Sequence, residues 1–173
     1  MPVVIVGALV QGKPNFNAIA YCGVAQSRPP MLSISMDKRR YTHQGILDNG
    51  CFSVNIPSEQ MLAVTNRVGR VSGREVDKST LFSAFFGKLE KAPMIRECPV
   101  VIECSLHEVM DFQGKNDLLI GLVVETYVDE NCLVDGEPYL LSVNPLVFSR
   151  QDHRYWTLGR DLGSVSEIEG NDK

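Results

Sequence analysis

Residues 32–42 read LSISMDKRRYT. Leu32, Ile34 and Met36 alternate with Ser33 and Ser35, which is the pattern of a strand with one buried face. Three consecutive cations follow, Lys38, Arg39 and Arg40, and then Tyr41-Thr42. The next segment, YTHQGILDNG at 41–50, carries a helical period; Thr42 is its expected N-cap and Gly50 its C-terminal stop. A strand end rich in hydroxyls, a cation cluster and a helix N-terminus together make a site for a doubly charged phosphate. Guanidinium groups bind phosphate with two parallel donors, and lysine adds a point charge. The same residues also read as a solvated basic turn, and the stretch alone leaves both readings open.

Upstream, Pro2–Val10 is almost continuously apolar and β-branched, as a buried strand is. A turn at 11–15 and an apolar segment, Phe16–Gln26, complete a hairpin. Pro29 and Pro30 end it, because proline cannot donate to a ladder. Downstream, Cys51–Pro57 forms a strand with Phe52, Val54 and Ile56 on one face. Ser58 is expected to cap a helix that presents Met61, Val64 and Val68 on one side and ends at Gly69. Residues 71–79 are polar and read as a loop. Residues 80–98 are irregular, with a short helix and a short strand near Gly87–Leu89. Pro99–Met110 alternates, QGKN at 113–116 turns the chain, and Leu118–Val128 is a long, more apolar strand. Short strands are expected within 137–148, and RYWTLG at 154–159 carries the only tryptophan. Two long antiparallel strands, a hairpin and short helices, without βαβ alternation, predict a mainly β barrel.

The 173 residues, 44% of them hydrophobic, suit one domain with a substantial core. Residues 1–160 form that domain in this reading, and 161–173 an acidic, flexible tail. The tail holds −3 of the net charge of −4, so the body is close to neutral. No broad cationic field favours nucleic acid, and the KRR cluster stands out locally. Five scattered cysteines without a C-x-x-C pair argue against a zinc ribbon or a disulfide scaffold; they read as small buried hydrophobes. No secretory leader is evident and no apolar run is long enough to span a membrane, so a cytoplasmic location is expected. G-x-G-x-x-G, P-loop and nucleophile-elbow motifs are all absent. His43, His107 and His153 lack metal-ligand spacing, and Asp111 and Asp117 read as turn residues.

Several segments taken together carry a family resemblance. They are SRPP at 27–30, LSIS at 32–35, KRRYT at 38–42, FSVNIP at 52–57, SGREVDK at 72–78 and NDLLIG at 116–121. Their order and spacing resemble the flavin reductase-like family of the FMN-binding split barrel, the flavoredoxins in particular. The resemblance covers residues 2–160. It implies a six-stranded Greek-key split barrel with a few short inserted helices, and FMN in a groove at a homodimer interface. It implies that Ser35, Lys38, Arg40 and Thr42 surround the phosphate, with Arg39 turned outward. Asn15 and Tyr21 fall where relatives have an asparagine and an aromatic against the flavin. Lys78 matches a lysine of the family's loop motif, and Phe148 falls near a C-terminal aromatic contact. Ala18 stands where threonine is frequent, and Asn116 where histidine is frequent. An asparagine can donate a hydrogen bond but cannot titrate in that position.

By resemblance, the protein is an FMN-binding oxidoreductase that takes electrons from NADH or NADPH. A flavoredoxin-like carrier, reduced by a redox protein partner, is the alternative. A non-catalytic β-barrel that binds a phosphorylated ligand is the alternative of another class. Arg74 or Lys78 is the expected cation beside the flavin N1 and O2.

Overall fold

The computed structural model describes residues 1–165. Of the expected acidic tail, residues 166–173 lie outside the described residues. The architecture is a seven-stranded sheet formed by β1 (Val4–Val10), β2 (Lys13–Ile19), β3 (Cys22–Ser27), β4 (Pro30–Asp37), β5 (Cys51–Ile56), β6 (Val100–Asp111) and β7 (Asn116–Val128). Their order across the sheet is β2-β1-β5-β6-β7-β4-β3, and every pairing is antiparallel.

β2 and β3 follow one another in the chain yet form opposite edges. In a flat sheet, six spacings of about 4.8 Å would separate those edges by about 29 Å. From Ile19 to Cys22 there are only three Cα steps, about 11 Å at full extension. The sheet must therefore curl until its edges almost meet, which makes a barrel split along one side. The main sheet has seven strands where six were expected. The apolar segment 16–26 is broken at Ala20–Tyr21, and its second half moves to the far edge. The Tyr21 carbonyl already accepts from the Ser35 N–H at 3.0 Å, which fixes the start of that edge.

The burial pattern explains the strand readings. Val4, Val6 and Ala8 of β1 point into the barrel with Ile34, Met36, Phe52, Val54, Cys104 and Leu119. Ile5, on the other face of β1, joins Phe16, Met61, Val68, Met94 and Val101 in a second cluster. A strand covered on both faces reads as continuously apolar, and β1 does. Four of the five cysteines are buried and Cys22 is half-buried, all as free thiols. Burial pushes the Cys22 thiol up to about 11 and Cys104 to about 12, so neither is a thiolate at neutral pH.

Helix α1 (Tyr41–Asn49) follows β4 directly. A Cβ at Gly45 would meet the Leu9 carbonyl and the Val10 side chain, so only glycine lets α1 lie this close to β1. Thr42 is not the N-cap. Arg40 holds that position without a side-chain cap bond, and Thr42 Oγ1 accepts from Asn15 Nδ2 at 2.7 Å instead. Gly50 ends the helix in the left-handed conformation, with its N–H on Ile46 O. Ser58 precedes a single 3-10 turn, Glu59–Met61, and not the helix itself. Helix α2 (Leu62–Arg70) starts later and runs one residue past Gly69. Short strands lie at Ala84–Phe85 and Met94–Ile95, outside the span 87–89 expected for one. Within 137–148 a short helix, Leu140–Val143, separates Glu137–Pro138 from Val147–Ser149. Val147–Ser149 pairs with Arg154–Trp156 to form a hairpin. No helix among the described residues is long and apolar enough to cross a membrane.

Candidate functional site

The end of β4, the start of α1, the loop after α2 and the turn between β6 and β7 meet on one side of the barrel. Two cavities open there. One, of ≈ 380 Å³, is lined by Asn15, Arg40, Thr42, Ser72, Gly73 and Lys78 among others. The other, of ≈ 570 Å³, is lined by Ala18, Tyr21, Ser35, Asn116, Phe148 and their neighbours. Asn17, Asp37, Arg40 and Lys115 line both, so the two form one continuous trough. Its combined size falls in the range of cofactor sites.

The cation cluster is largely spent on carboxylates. Lys38 Nζ binds Asp111 and lies 3.4 Å from Asp117 Oδ1. Arg39 pairs with Asp37 at 2.8 Å, and Lys115 Nζ lies 3.2 Å from the same carboxylate. The Arg39 hydrogen bond holds Asp37 well below the usual carboxylate range, and Asp111 raises Lys38. Arg40 alone of the three has no carboxylate partner among the described residues, and it faces both parts of the trough. Beside it, the first N–H groups of α1 have no intrahelical acceptor. Arg39 and Lys115 share the one Asp37 carboxylate and Lys78 lies in the same cavity, so this end is net positive, and Arg40 is the cation of the KRR run that the fold leaves without a carboxylate.

Lys38, expected against the phosphate, lines neither cavity and is held by Asp111 and Asp117 instead. Its partners bear on the same turn indirectly. Asp117, 6% exposed, also accepts from His43 Nε2 at 2.8 Å, so one buried carboxylate ties α1 to the turn before it. Lys78 does line the polar cavity. Its Nζ is buried and donates to Phe16 O at 2.9 Å and Val68 O at 2.8 Å. Burial, then the neighbouring Arg40 charge, lowers it from 10.5 to about 8. This lysine anchors its loop to β2 and α2. Arg74 lies 4.6 Å over the Tyr41 ring and donates to Gln44 Oε1 at 3.2 Å, so it braces the flank of α1.

Asn15 is fixed by its bond to Thr42, and a Cβ on Gly73 would collide with its Oδ1. The glycine lets the loop close over that amide. At the other end, Asn116 Nδ2 donates to Ser35 Oγ at 3.1 Å. Tyr21 is 40% exposed with Arg150 over its ring, and Phe148 packs 5.0 Å from the Tyr155 ring. Nine of the ten expected residues, all but Lys38, thus line one trough.

Asn17 lines both cavities but was not among the expected contacts. It is 2% exposed inside β2, and its Oδ1 has no hydrogen-bond partner. A buried acceptor without a partner, on a residue that lines a trough, is accounted for by a ligand that donates. Lys115 also escaped the reading. It sits one residue before Asn116, but only the pairing of Asp37 with Asn116 brings it to the trough.

Residues 1–157 match the family model described as a flavin reductase like domain. The chain belongs to the flavin reductase-like family. Among solved structures, flavoredoxin from Methanosarcina acetivorans is 38% identical with a TM-score of 0.95, over 99% of this chain and 91% of that one. The FMN-binding protein from Thermus thermophilus, solved with bound 1-cyclohex-2-enone, is 25% identical with a TM-score of 0.83, over 94% and 89%. The uncharacterized protein YddH of Escherichia coli (strain K12) is 32% identical over 125 residues, 70% of this chain and 66% of that protein. The mainly β sheet of this flavin reductase-like chain matches a split barrel.

Proposed function

We propose that the trough binds FMN and that the protein is an FMN-dependent oxidoreductase. The observation that carries this is the pairing of an unneutralised guanidinium, Arg40, with a buried unpartnered acceptor, Asn17 Oδ1, in one trough. A flavin mononucleotide offers a dianionic phosphate for the first and N–H and O–H donors for the second. The FMN-binding relative supports the choice of ligand. Arg40, the first turn of α1 and the loop at Ser72-Gly73 would hold the phosphate. Thr42 and Asn15 hold each other and shape that pocket. Asn17 would accept from the ligand, and Lys78 keeps the loop seated. Phe148 and Tyr21 would flank the ring and exclude water. When bound, FMN supplies hydride and single-electron transfer. Arg74 lines neither cavity, so the cation near the ring would come from Lys115 or Arg150, which line the larger one.

In this reading NADH or NADPH reduces the cofactor and a second copy of the chain completes the groove as a homodimer. A carrier reduced by a redox protein is favoured by one observation, the likeness to flavoredoxin. Asn116, which cannot relay a proton by titrating, fits that second reading too. The spectrum of the purified protein tests the proposal. Yellow protein, or colourless protein made yellow by FMN, is expected; failure to reconstitute refutes it. Anaerobic NADH or NADPH then separates the readings: prompt bleaching identifies a reductase, and a stable yellow colour identifies a carrier.

A further inference from the structure

A third cavity, of ≈ 440 Å³, lies between the end of α2 and the 147–156 hairpin. It shares Ala18, Ile19, Ala20, Phe148 and His153 with the larger part of the trough, so it opens onto the same space. Its floor is apolar, with Val3, Ala18, Ile19 and Phe148. Every polar side chain in its wall can donate: Arg70, Asn66, His153 and Tyr155. No carboxylate lines it, although the protein carries net charge −4.

The Arg70 guanidinium has no ion pair among the described residues. Arg67, on the same last turn of α2, also complements the helix C-terminus but does not line the cavity. Tyr155 Oη donates to Asn66 Oδ1 at 3.5 Å, which uses the acceptor end of that amide. The Asn66 NH₂ is left without a partner among the described residues. An apolar floor rimmed by a guanidinium without an ion pair and an amide donor without a partner among the described residues matches one ligand chemistry. We infer that this cavity is a binding subsite for a flat organic carboxylate of one or two rings. The guanidinium takes the carboxylate through two parallel hydrogen bonds, and Asn66 adds a third. That the ring then lies beside a bound flavin rests on the function proposed above; the carboxylate preference does not.

Trans-cinnamate and its neutral isostere cinnamamide separate charge from shape. Calorimetry on the FMN-supplemented protein should show cinnamate binding about tenfold more tightly than the amide, the effect of one charge-assisted contact at an open site. Arg70→Gln should reduce that preference to about twofold or less, and Arg70→Lys should keep part of it, as a point charge without the fork does. Because Arg70 is exposed and unpaired, neither change threatens the fold. Equal affinity for acid and amide, or a preference that survives Arg70→Gln, overturns the inference. FMN titration of the same samples keeps the two proposals apart. Cinnamate preference without FMN binding would sink the flavin reading and leave the subsite standing. FMN binding without the preference would do the reverse.

Discussion

Replacing Arg40 with alanine removes the one cation of the KRR run that the fold leaves unpaired. Its neighbours are neutralised, Lys38 by Asp111 and Asp117, and Arg39 by Asp37. A hydrogen bond to a charged group contributes about 1.5–3 kcal/mol. Arg40 is half-exposed, so the lower part of that range applies. About 2 kcal/mol corresponds to roughly thirtyfold weaker FMN binding. Arg39→Ala should cost about threefold or less, because the Arg39 side chain is largely exposed, is turned onto Asp37, and its lost charge is screened by solvent. Riboflavin lacks the phosphate, so Arg40→Ala should leave its affinity within about threefold. Quenching of flavin fluorescence, titrated at two salt concentrations, measures all five affinities. Added salt should weaken FMN binding in the wild type more than in the variant. Equal losses for Arg40→Ala and Arg39→Ala, or equal losses for FMN and riboflavin, would refute the assignment of the phosphate to Arg40.

Two further substitutions probe the loop that closes the polar cavity. Lys78→Met strands the buried carbonyls of Phe16 and Val68 and should destabilise the fold by about 2–4 kcal/mol in urea unfolding. The wild type should also gain stability between pH 8 and 10.5. The folded protein releases the Lys78 proton near 8, while the unfolded chain holds it to 10.5, so raising the pH favours the folded state. That slope should be missing from Lys78→Met; an unchanged slope would assign it to another group. Gly73→Ala drives a methyl into the Asn15 amide, which Thr42 holds in place, and should cost about 1–3 kcal/mol. A thermal melt and an FMN titration both unchanged by Gly73→Ala would show that the loop yields freely.

The strands with clean alternation were legible in the sequence. In β4, β5 and β6 the apolar residues fall two apart, and β5 keeps that alternation although Ser53 and Asn55 on its other face are buried as well. β1 was legible for the opposite reason, since both its faces are covered. What hid the seventh strand is that Ala20 and Tyr21 are no breakers by type; only the far edge of the sheet, already paired, sends the chain there. The site was legible as a cluster of residue types, because KRR before a helix is a local pattern. Its electrostatics were not. Lys38 is neutralised by Asp111, 73 residues away, and no local reading could tell it from Arg40. Asn17 was not among the expected contacts, because burial without a partner is a property of the packed barrel. His43, set aside for want of metal-ligand spacing, proved to be held by Asp117 across 74 residues.

The two-residue link at Ala20–Tyr21 acts as a caliper. It is the short covalent tether between the two rims of the sheet, and the trough runs beside it, with Ala18, Ile19, Ala20 and Tyr21 all in its wall. Lengthening this tether would let the rims spread without breaking a single ladder. The thickness of ligand the protein admits is thus written in a count of residues as much as in their identity, and an insertion series at this point would tune selectivity while every contacting side chain stayed the same.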